Sequence, residues 1–160
     1  MSSSNERAFI VFFRLAMAWT FLYAASHQVF VPGWSVAGFL SNTKTFHDFF
    51  SLFTTRDVAP VVSFLVSYGH LLIGLSLLTG LMVRISASFG VALMIVYWMA
   101  HMDFPYIANH NNFLLDEHIV YAGILVYLVA AKAGHVWGLD GWAERMLEKW
   151  HRPGLKALFA

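Results

Sequence analysis

The 160-residue sequence contains no cysteine. This absence excludes disulfides, thiolate metal ligands, thiol redox chemistry and a cysteine nucleophile in this chain. Any redox function therefore requires a bound cofactor or a partner subunit.

Charged residues are also scarce, at 12% of the chain, where roughly a quarter is usual for a soluble domain. Apolar residues make up 59%, and the mean hydropathy is +0.62. Ten basic residues balance nine acidic ones, and no stretch is rich in Lys and Arg. The composition predicts an integral membrane protein that contacts the lipid bilayer, and it excludes nucleic-acid binding.

Four apolar runs are each long enough to cross roughly 30 Å of hydrocarbon as a helix. They predict an all-α integral membrane four-helix bundle, a single membrane domain over residues 1–160, with spans at about 8–30, 58–83, 85–102 and 116–137. The first run lacks a small-residue cleavage site, so we expect a retained span rather than a signal peptide. Arg14 lies within this span, where its side chain either snorkels to the headgroups or turns into the bundle.

Two further segments are amphipathic rather than spanning. Residues 31–57 contain too much Pro, Gly, Ser, Thr and charge to cross the bilayer, yet they carry many aromatics. We therefore expect an interfacial helix between spans one and two, within residues 39–53. The tail at 142–150 places Trp142, Met146 and Trp150 at helical spacing against charged residues, and this pattern predicts a C-terminal amphipathic helix on the membrane surface.

The small residues of the second span predict its packing partner. A tight connection at Arg84 makes spans two and three antiparallel neighbours, and small residues allow membrane helices to approach closely. Gly69, Gly74 and Gly80 are therefore expected to pack against the third span.

A histidine-rich segment, residues 101–118, joins the last two spans and contains no Lys or Arg. Ionisable groups beside hydrocarbon are costly unless they are paired, ligated or hydrated, so they indicate a functional site. At 1.5 Å per helical residue, His27, His101 and His118 share one level, about 20 to 25 Å from the Arg14 side of the bilayer. Three acids lie within about one helical turn of that level: Asp103, Asp116 and Glu117.

The first chemistry for this cluster is quinone-linked proton and electron transfer. Imidazole titrates near neutrality, so His101 and His118 are candidate catalytic acid/base groups. The three acids, Asp103, Asp116 and Glu117, orient or neutralise them. Four aromatic side chains are candidates for the walls of an apolar slot around the quinone ring: Trp98, Phe104, Tyr106 and Phe113.

Alternatives from other classes remain open. His27, His101 and His118 are suited to ligate a metal ion or haem, and His70, near the midplane, is suited to relay protons or ions. The non-catalytic alternative is a structural or assembly subunit of a larger membrane complex. Asp116 is then a helix N-cap, and the histidines are hydrogen-bonded packing residues.

Three segments resemble the DoxX/DoxD family of small four-span membrane proteins: RLAMAWTFLYAASHQVF, LLIGLSLLTGLMVRISASFGVALM and DEHIVYAGILVYLVAAKAGHVWGLD. The family pattern of a glycine-rich second span that ends in Gly-Leu-x-x-Arg is matched at residues 80–84, and the end of its fourth span is matched from Gly134 to Asp140. The family takes its name from a membrane subunit of a thiosulfate:quinone oxidoreductase, so the resemblance implies a membrane redox subunit. Without cysteine or a recognised cofactor motif, that activity also implies a protein partner.

The Lys and Arg residues predict the orientation, because cytoplasmic flanks carry an excess of them. Four spans put both termini on one side, and only Lys44 and Arg56 fall on the other side. The termini side carries the other basic residues: Arg7, Arg14, Arg84, Lys132, Arg145, Lys149, Arg152 and Lys156. The sequence therefore predicts a multi-pass cell-membrane protein with both termini cytoplasmic.

A topology reporter fused after Ala160 should be active only in the cytoplasm, and periplasmic activity would contradict both the charge argument and the span count.

Overall fold

A computed structural model describes residues 3–108 and 110–149 of the chain, and these residues are almost entirely helical. The α-helices are α1 (Ser4–Val29), α2 (Ala37–Leu40), α3 (His47–Ser51), α4 (Ala59–Thr79), α5 (Val83–His101), α6 (Glu117–Ala130) and α7 (Asp140–Lys149). Two short antiparallel strands, β1 (Met102–Asp103) and β2 (Tyr106–Ile107), follow α5. Single 3-10 turns lie at His110–Asn112 and Ala133–His135.

Three of the described helices are long and apolar enough to cross a membrane: α1, α4 and α5. They correspond to the first three predicted spans, and they confirm the predicted all-α membrane bundle. The first begins with a capping box, in which the Ser3 hydroxyl accepts from the Glu6 N–H and the Glu6 carboxylate accepts from the Ser3 N–H.

The fourth helix is shorter than the sequence predicts. The predicted span extends to residue 137, but α6 has 14 residues and ends at Ala130, which gives a length of about 21 Å. Lys132 then adopts a left-handed conformation with φ 49°, and a 3-10 turn follows. The residues that follow include Lys132, Gly134 and His135, so the apolar run weakens where the helix ends.

The amphipathic segments also differ in detail from the prediction. Two short helices, α2 and α3, stand where one interfacial helix was expected, and they pack a small apolar cluster, Val36, Leu40 and Phe50, against Ala100 of α5. The C-terminal helix α7 begins earlier than predicted, at Asp140, and Trp150 lies outside the described residues.

The glycines of α4 do not pack as the sequence predicts. Gly74 lies against Leu22 of α1, so close that a Cβ there would meet the Leu22 backbone nitrogen at 3.0 Å, whereas Gly69 has open space around it. Gly90 of α5 similarly admits Leu125 of α6. The close approaches at Gly74 and Gly90 therefore join α4 to α1 and α5 to α6, while α4 meets α5 through a hydrogen bond between the Ser76 and Ser86 hydroxyls at 2.6 Å.

Arg14 resolves the two sequence alternatives by turning into the bundle, where it is 3% exposed. Its Nη1 donates to the carbonyl oxygens of Ala133 at 2.8 Å and Val136 at 3.0 Å, and its Nη2 donates to that of Trp137 at 3.2 Å. The guanidinium thus binds the carbonyls of the turn after α6. This long-range contact explains why the chain leaves the helix there.

Asp140 forms the second part of the same buried junction. Its carboxylate accepts hydrogen bonds from the backbone nitrogens of Met82 at 2.5 Å and Val83 at 3.3 Å, and it thereby caps the start of α5. Its own N–H donates to the Gly80 carbonyl at 2.9 Å. Burial raises the pKa of Asp140, and the two N–H donors oppose that shift. The matched family segments, residues 80–84 and 134–140, therefore meet at one end of the bundle, the Arg14 end.

Gly134 is required at this junction, because a Cβ there would overlap the Asp140 carboxylate. Gly134→Ala should lower the free energy of unfolding by about 1–3 kcal/mol, the usual cost of overpacking. The matched control is Gly123→Ala in α6, where a Cβ meets nothing within 4 Å. Thermal unfolding in detergent measures both. Equal melting temperatures for the two variants would show that the junction does not support the fold.

Candidate functional site

At the opposite end of the bundle, the last residue of α5 meets the first turn of α6. The rings of His101 and His118 stack with centroids 4.8 Å apart and planes at 25°. Nδ1 of His101 bonds to the carbonyl oxygen of Tyr97, one turn earlier, at 2.8 Å. Two of the three histidines predicted to share one level therefore lie side by side.

Asp116 connects helix capping to the histidine pair. Its Oδ1 accepts from the backbone nitrogens of His118 at 3.0 Å and Ile119 at 3.4 Å, which makes it the N-cap of α6. Its Oδ2 contacts Nδ1 of His118 at 2.8 Å, and the residue is 7% exposed. One buried carboxylate thus performs both roles that the sequence left as alternatives.

The Asp116 contact defines which nitrogen of His118 is available for chemistry. An ionised carboxylate only accepts hydrogen bonds, so Nδ1 of His118 carries the proton in this pair. In the neutral ring, Nε2 is then the nitrogen with a free lone pair. Nε2 of His118 is therefore the nitrogen that can accept a proton from a neighbouring group.

His118 lines a polar pocket of about 220 Å³ between α1, α4, α5 and α6. Tyr97 stacks on the His118 ring at 5.6 Å and 16°, and the Tyr97 ring also lies 5.7 Å from that of His70. The pocket is lined by Thr20, Phe21, Ala24, Gln28, His70, Met94, Tyr97, His118 and Tyr121. Thr20, Ala24 and Tyr121 are only half-buried, which leaves the pocket accessible between α1 and α6.

His27 has its described contacts within its own helix. The side chain is exposed, its Nδ1 lies 3.0 Å from the Tyr23 carbonyl, and its ring packs on Tyr23 at 4.5 Å. Of the three histidines predicted to ligate haem or a metal, His101 and His118 contact each other, whereas His27 contacts its own helix.

The four aromatics predicted to form the quinone slot lie around the loop between α5 and α6 instead. Tyr106 and Phe113 pack edge to face at 6.0 Å, Phe104 is 69% exposed, and Nε1 of Trp98 donates to the Leu114 carbonyl at 2.8 Å. None of them lines the polar pocket. Asp103, on β1, is exposed as well.

Among the described residues, one group could hold a metal ion: Asp116, Glu117 and His118. One ligand atom each from Asp116, Glu117 and His118 lie within 4.8 Å of one another. Mixed carboxylate and imidazole ligands suit several divalent cations. Two features oppose a metal here: the Asp116 oxygens already bind Nδ1 of His118 and two backbone N–H groups, and Glu117 is exposed.

Sequence reasoning missed Gln28, Tyr97 and Tyr121, and it treated His70 as a packing residue or relay. A signal for Tyr97 was present, because Tyr97 and His101 are spaced i, i+4 and share one face of α5. Gln28 had a weaker signal, as an amide within an otherwise apolar span. Which of the neighbouring aromatics, Tyr97 or Trp98, faces inward depends on helix rotation.

The fold and the site define a helical membrane protein with a polar, histidine-lined pocket at one end of its bundle. A family model for DoxX matches residues 9–102, and the chain belongs to the DoxX family. No curated protein and no solved structure matches the chain.

The two roles of Asp116 can be separated by substitution. Asp116→Ala removes the N-cap of α6 and should lower the free energy of unfolding by about 1 kcal/mol, whereas Asp116→Asn keeps an acceptor oxygen and should cost much less. Thermal unfolding in detergent measures the difference. Equal losses in both variants would mean that the charge of Asp116, rather than capping, stabilises this end of α6.

Proposed function

We propose that the chain is a membrane redox subunit whose polar pocket holds the ring of a quinone next to His118. The observation that supports this proposal is the arrangement of His118 in the pocket wall with Asp116 bonded behind it at 2.8 Å. A base held by a buried carboxylate is the arrangement that proton transfer requires.

The residues fit a quinone ring in size and chemistry. A cavity of about 220 Å³ is smaller than a site for a whole drug-sized ligand, so it suits a ring whose apolar tail remains in lipid. The accessible side between α1 and α6 provides a path for that tail. When bound, a quinone supplies two-electron, two-proton redox chemistry.

Each pocket residue has a defined part in this proposal. His118 accepts a proton at Nε2 from a ring hydroxyl, and Asp116 stabilises the imidazolium that results. The Gln28 amide and the Tyr97 hydroxyl are the neighbouring groups that can hydrogen-bond ring oxygens. His101, stacked behind His118, is a positioning residue that holds the imidazole in its plane.

The electrons require a second protein. The chain has no cysteine for redox chemistry, so a partner subunit with its own redox cofactor must exchange electrons with the ring. The charge distribution of the sequence supports an orientation with both termini cytoplasmic and the His118 end outward. Protons from quinol oxidation are then released toward the outer face.

Two other functions make different experimental predictions. A structural or assembly subunit binds no quinone. A haem or metal protein shows a Soret band or stoichiometric metal after purification. An absorption spectrum and metal analysis of the purified protein therefore separate the metal alternative from proton handling.

Substitution of His118 tests the proposal most simply. His118→Gln should lower quinone-dependent turnover by about 10²-fold or more, the scale of losing an acid/base group. His101→Gln should have a smaller effect, because it removes a stacking partner rather than the base. Quinone binding in membranes, at matched protein levels, is the measurement where no electron donor is known.

The matched control is His135→Gln at the Arg14 end, where Nε2 of His135 lies 3.2 Å from a Glu144 carboxylate oxygen. This variant should retain quinone binding and turnover. Equal activity in all three variants would contradict a catalytic role for the histidine pair and favour the structural-subunit function.

A further inference from the structure

A second polar pocket, which we call the outer chamber, lies beside the first at the end of the bundle where α4 begins. It has a volume of about 310 Å³ and is lined by Gln28, Val29, Trp34, Ser35, Pro60, Ser63, Phe64, Ser67 and Tyr68. The residues that form it come from the end of α1, the segment before α2 and the first half of α4. The proposed proton chemistry does not use this chamber directly.

The buried face of α4 is polar from the outer chamber to the quinone pocket. Ser63, Ser67 and His70 follow one another at spacings of four and three residues, so they share one face of the helix. They are 6%, 5% and 4% exposed, respectively. The serine hydroxyls donate to carbonyls one turn earlier, at 2.6 Å each, and the Ser63 oxygen also accepts from the Val36 N–H at 3.0 Å. The outer chamber reaches Ser63 and Ser67, and the quinone pocket reaches His70, so this face presents polar atoms to both cavities.

Gln28 is the shared wall of the two pockets. Its side chain shares the quinone pocket with Tyr97, and its Oε1 is buried without a hydrogen-bond partner. Buried polar atoms are rarely left unpaired, and ordered water is their usual partner where the cavity is large enough. Both pockets exceed the space that one water needs.

We propose that the outer chamber and the quinone pocket form one water-filled passage, with Gln28 as its gate. The passage connects the membrane face at which α4 begins with His70 and His118. Its function is to carry protons: an imidazolium N–H bond breaks, the proton binds a water in the passage, and the neutral ring remains. No electron moves in this step. Only the link between the passage and quinol protons depends on the function proposed above.

The absence of cysteine makes the passage directly testable, because any introduced thiol is the only one in the chain. Ser67→Cys reports on the outer chamber and Ala24→Cys on the quinone pocket. Leu72→Cys is the control: Leu72 is 65% exposed on the apolar side of α4, close to the level of Ala24, since Gly74 contacts Leu22. The probe is Ag⁺ added to sealed membranes, and unreacted thiols are counted with a fluorescent maleimide after denaturation.

Thiols in the passage should react with Ag⁺ faster than thiols in lipid. Reaction requires the thiolate, which water permits and hydrocarbon suppresses, so Ser67→Cys and Ala24→Cys should react at least about tenfold faster than Leu72→Cys. The fast reaction should occur from the face at which α4 begins. Rates for Ser67→Cys or Ala24→Cys as slow as that of Leu72→Cys would overturn the passage.

The gate is tested by combining Ala24→Cys with a second substitution. Gln28→Leu fills a similar volume with apolar atoms and should slow the Ala24→Cys reaction by about tenfold while leaving Ser67→Cys unchanged. Gln28→Asn, which is polar and smaller, should leave both rates high. An Ala24→Cys rate unaffected by Gln28→Leu would overturn the role of Gln28.

Each variant is compared at a matched melting temperature and elution profile, so loss of structure is not mistaken for a closed gate. No quinone is used in the assay. A failure here removes the passage and leaves the quinone site intact, whereas failure of quinone binding with fast Ag⁺ reaction removes the quinone site and leaves the passage.

Discussion

The buried guanidinium of Arg14 is the interaction on which the rest of the structure depends. A charge inside a membrane bundle is costly unless it is paired or hydrogen-bonded, and three carbonyls of the turn after α6 accept hydrogen bonds from its Nη1 and Nη2. Binding them ends α6 at Ala130 and brings Asp140 beneath the start of α5. The start of α5 and the segment after α6 are thus joined at this junction, and the far ends of these two helices also meet. His101 and His118 stack at those ends.

The same requirement shapes the opposite end of the bundle. The side chains of His118 and Asp116 hydrogen-bond each other. The other polar side chains at this end of the bundle interior line shared cavities instead of being scattered among apolar residues. A purely structural bundle gains nothing from Gln28 and His70 at positions where leucine packs better. The proposed proton chemistry explains why Gln28 and His70 are polar despite the cost of burying them. Proton transfer requires polar groups and water at the place where the apolar ring also binds.

Much of the fold could be predicted from composition and apolar runs, because hydropathy directly reports on contact with lipid. The three longest spans and the DoxX family are confirmed on that basis. The end of α6 was predicted too late in the chain, since it depends on a contact with Arg14, far away in sequence, as well as on the local residues. The site was predictable only in part. The depth of a residue along a helix follows from its number, and this placed His101 and His118 at one level. Depth does not show which way a side chain faces around the helix axis. His27 therefore faces its own helix and lipid, and Tyr97 rather than Trp98 lines the pocket.

Photolabelling with a light-activated azidoquinone, followed by peptide mapping, tests the central claim most directly. The account predicts that label attaches to the pocket walls at residues 20–28, 94–97 and 118–121, that excess unlabelled quinone removes it, and that His118→Gln weakens it. Label confined to lipid-facing side chains such as Trp19 and Phe89, which are 70% and 67% exposed, and insensitive to competition would contradict a quinone site in this pocket.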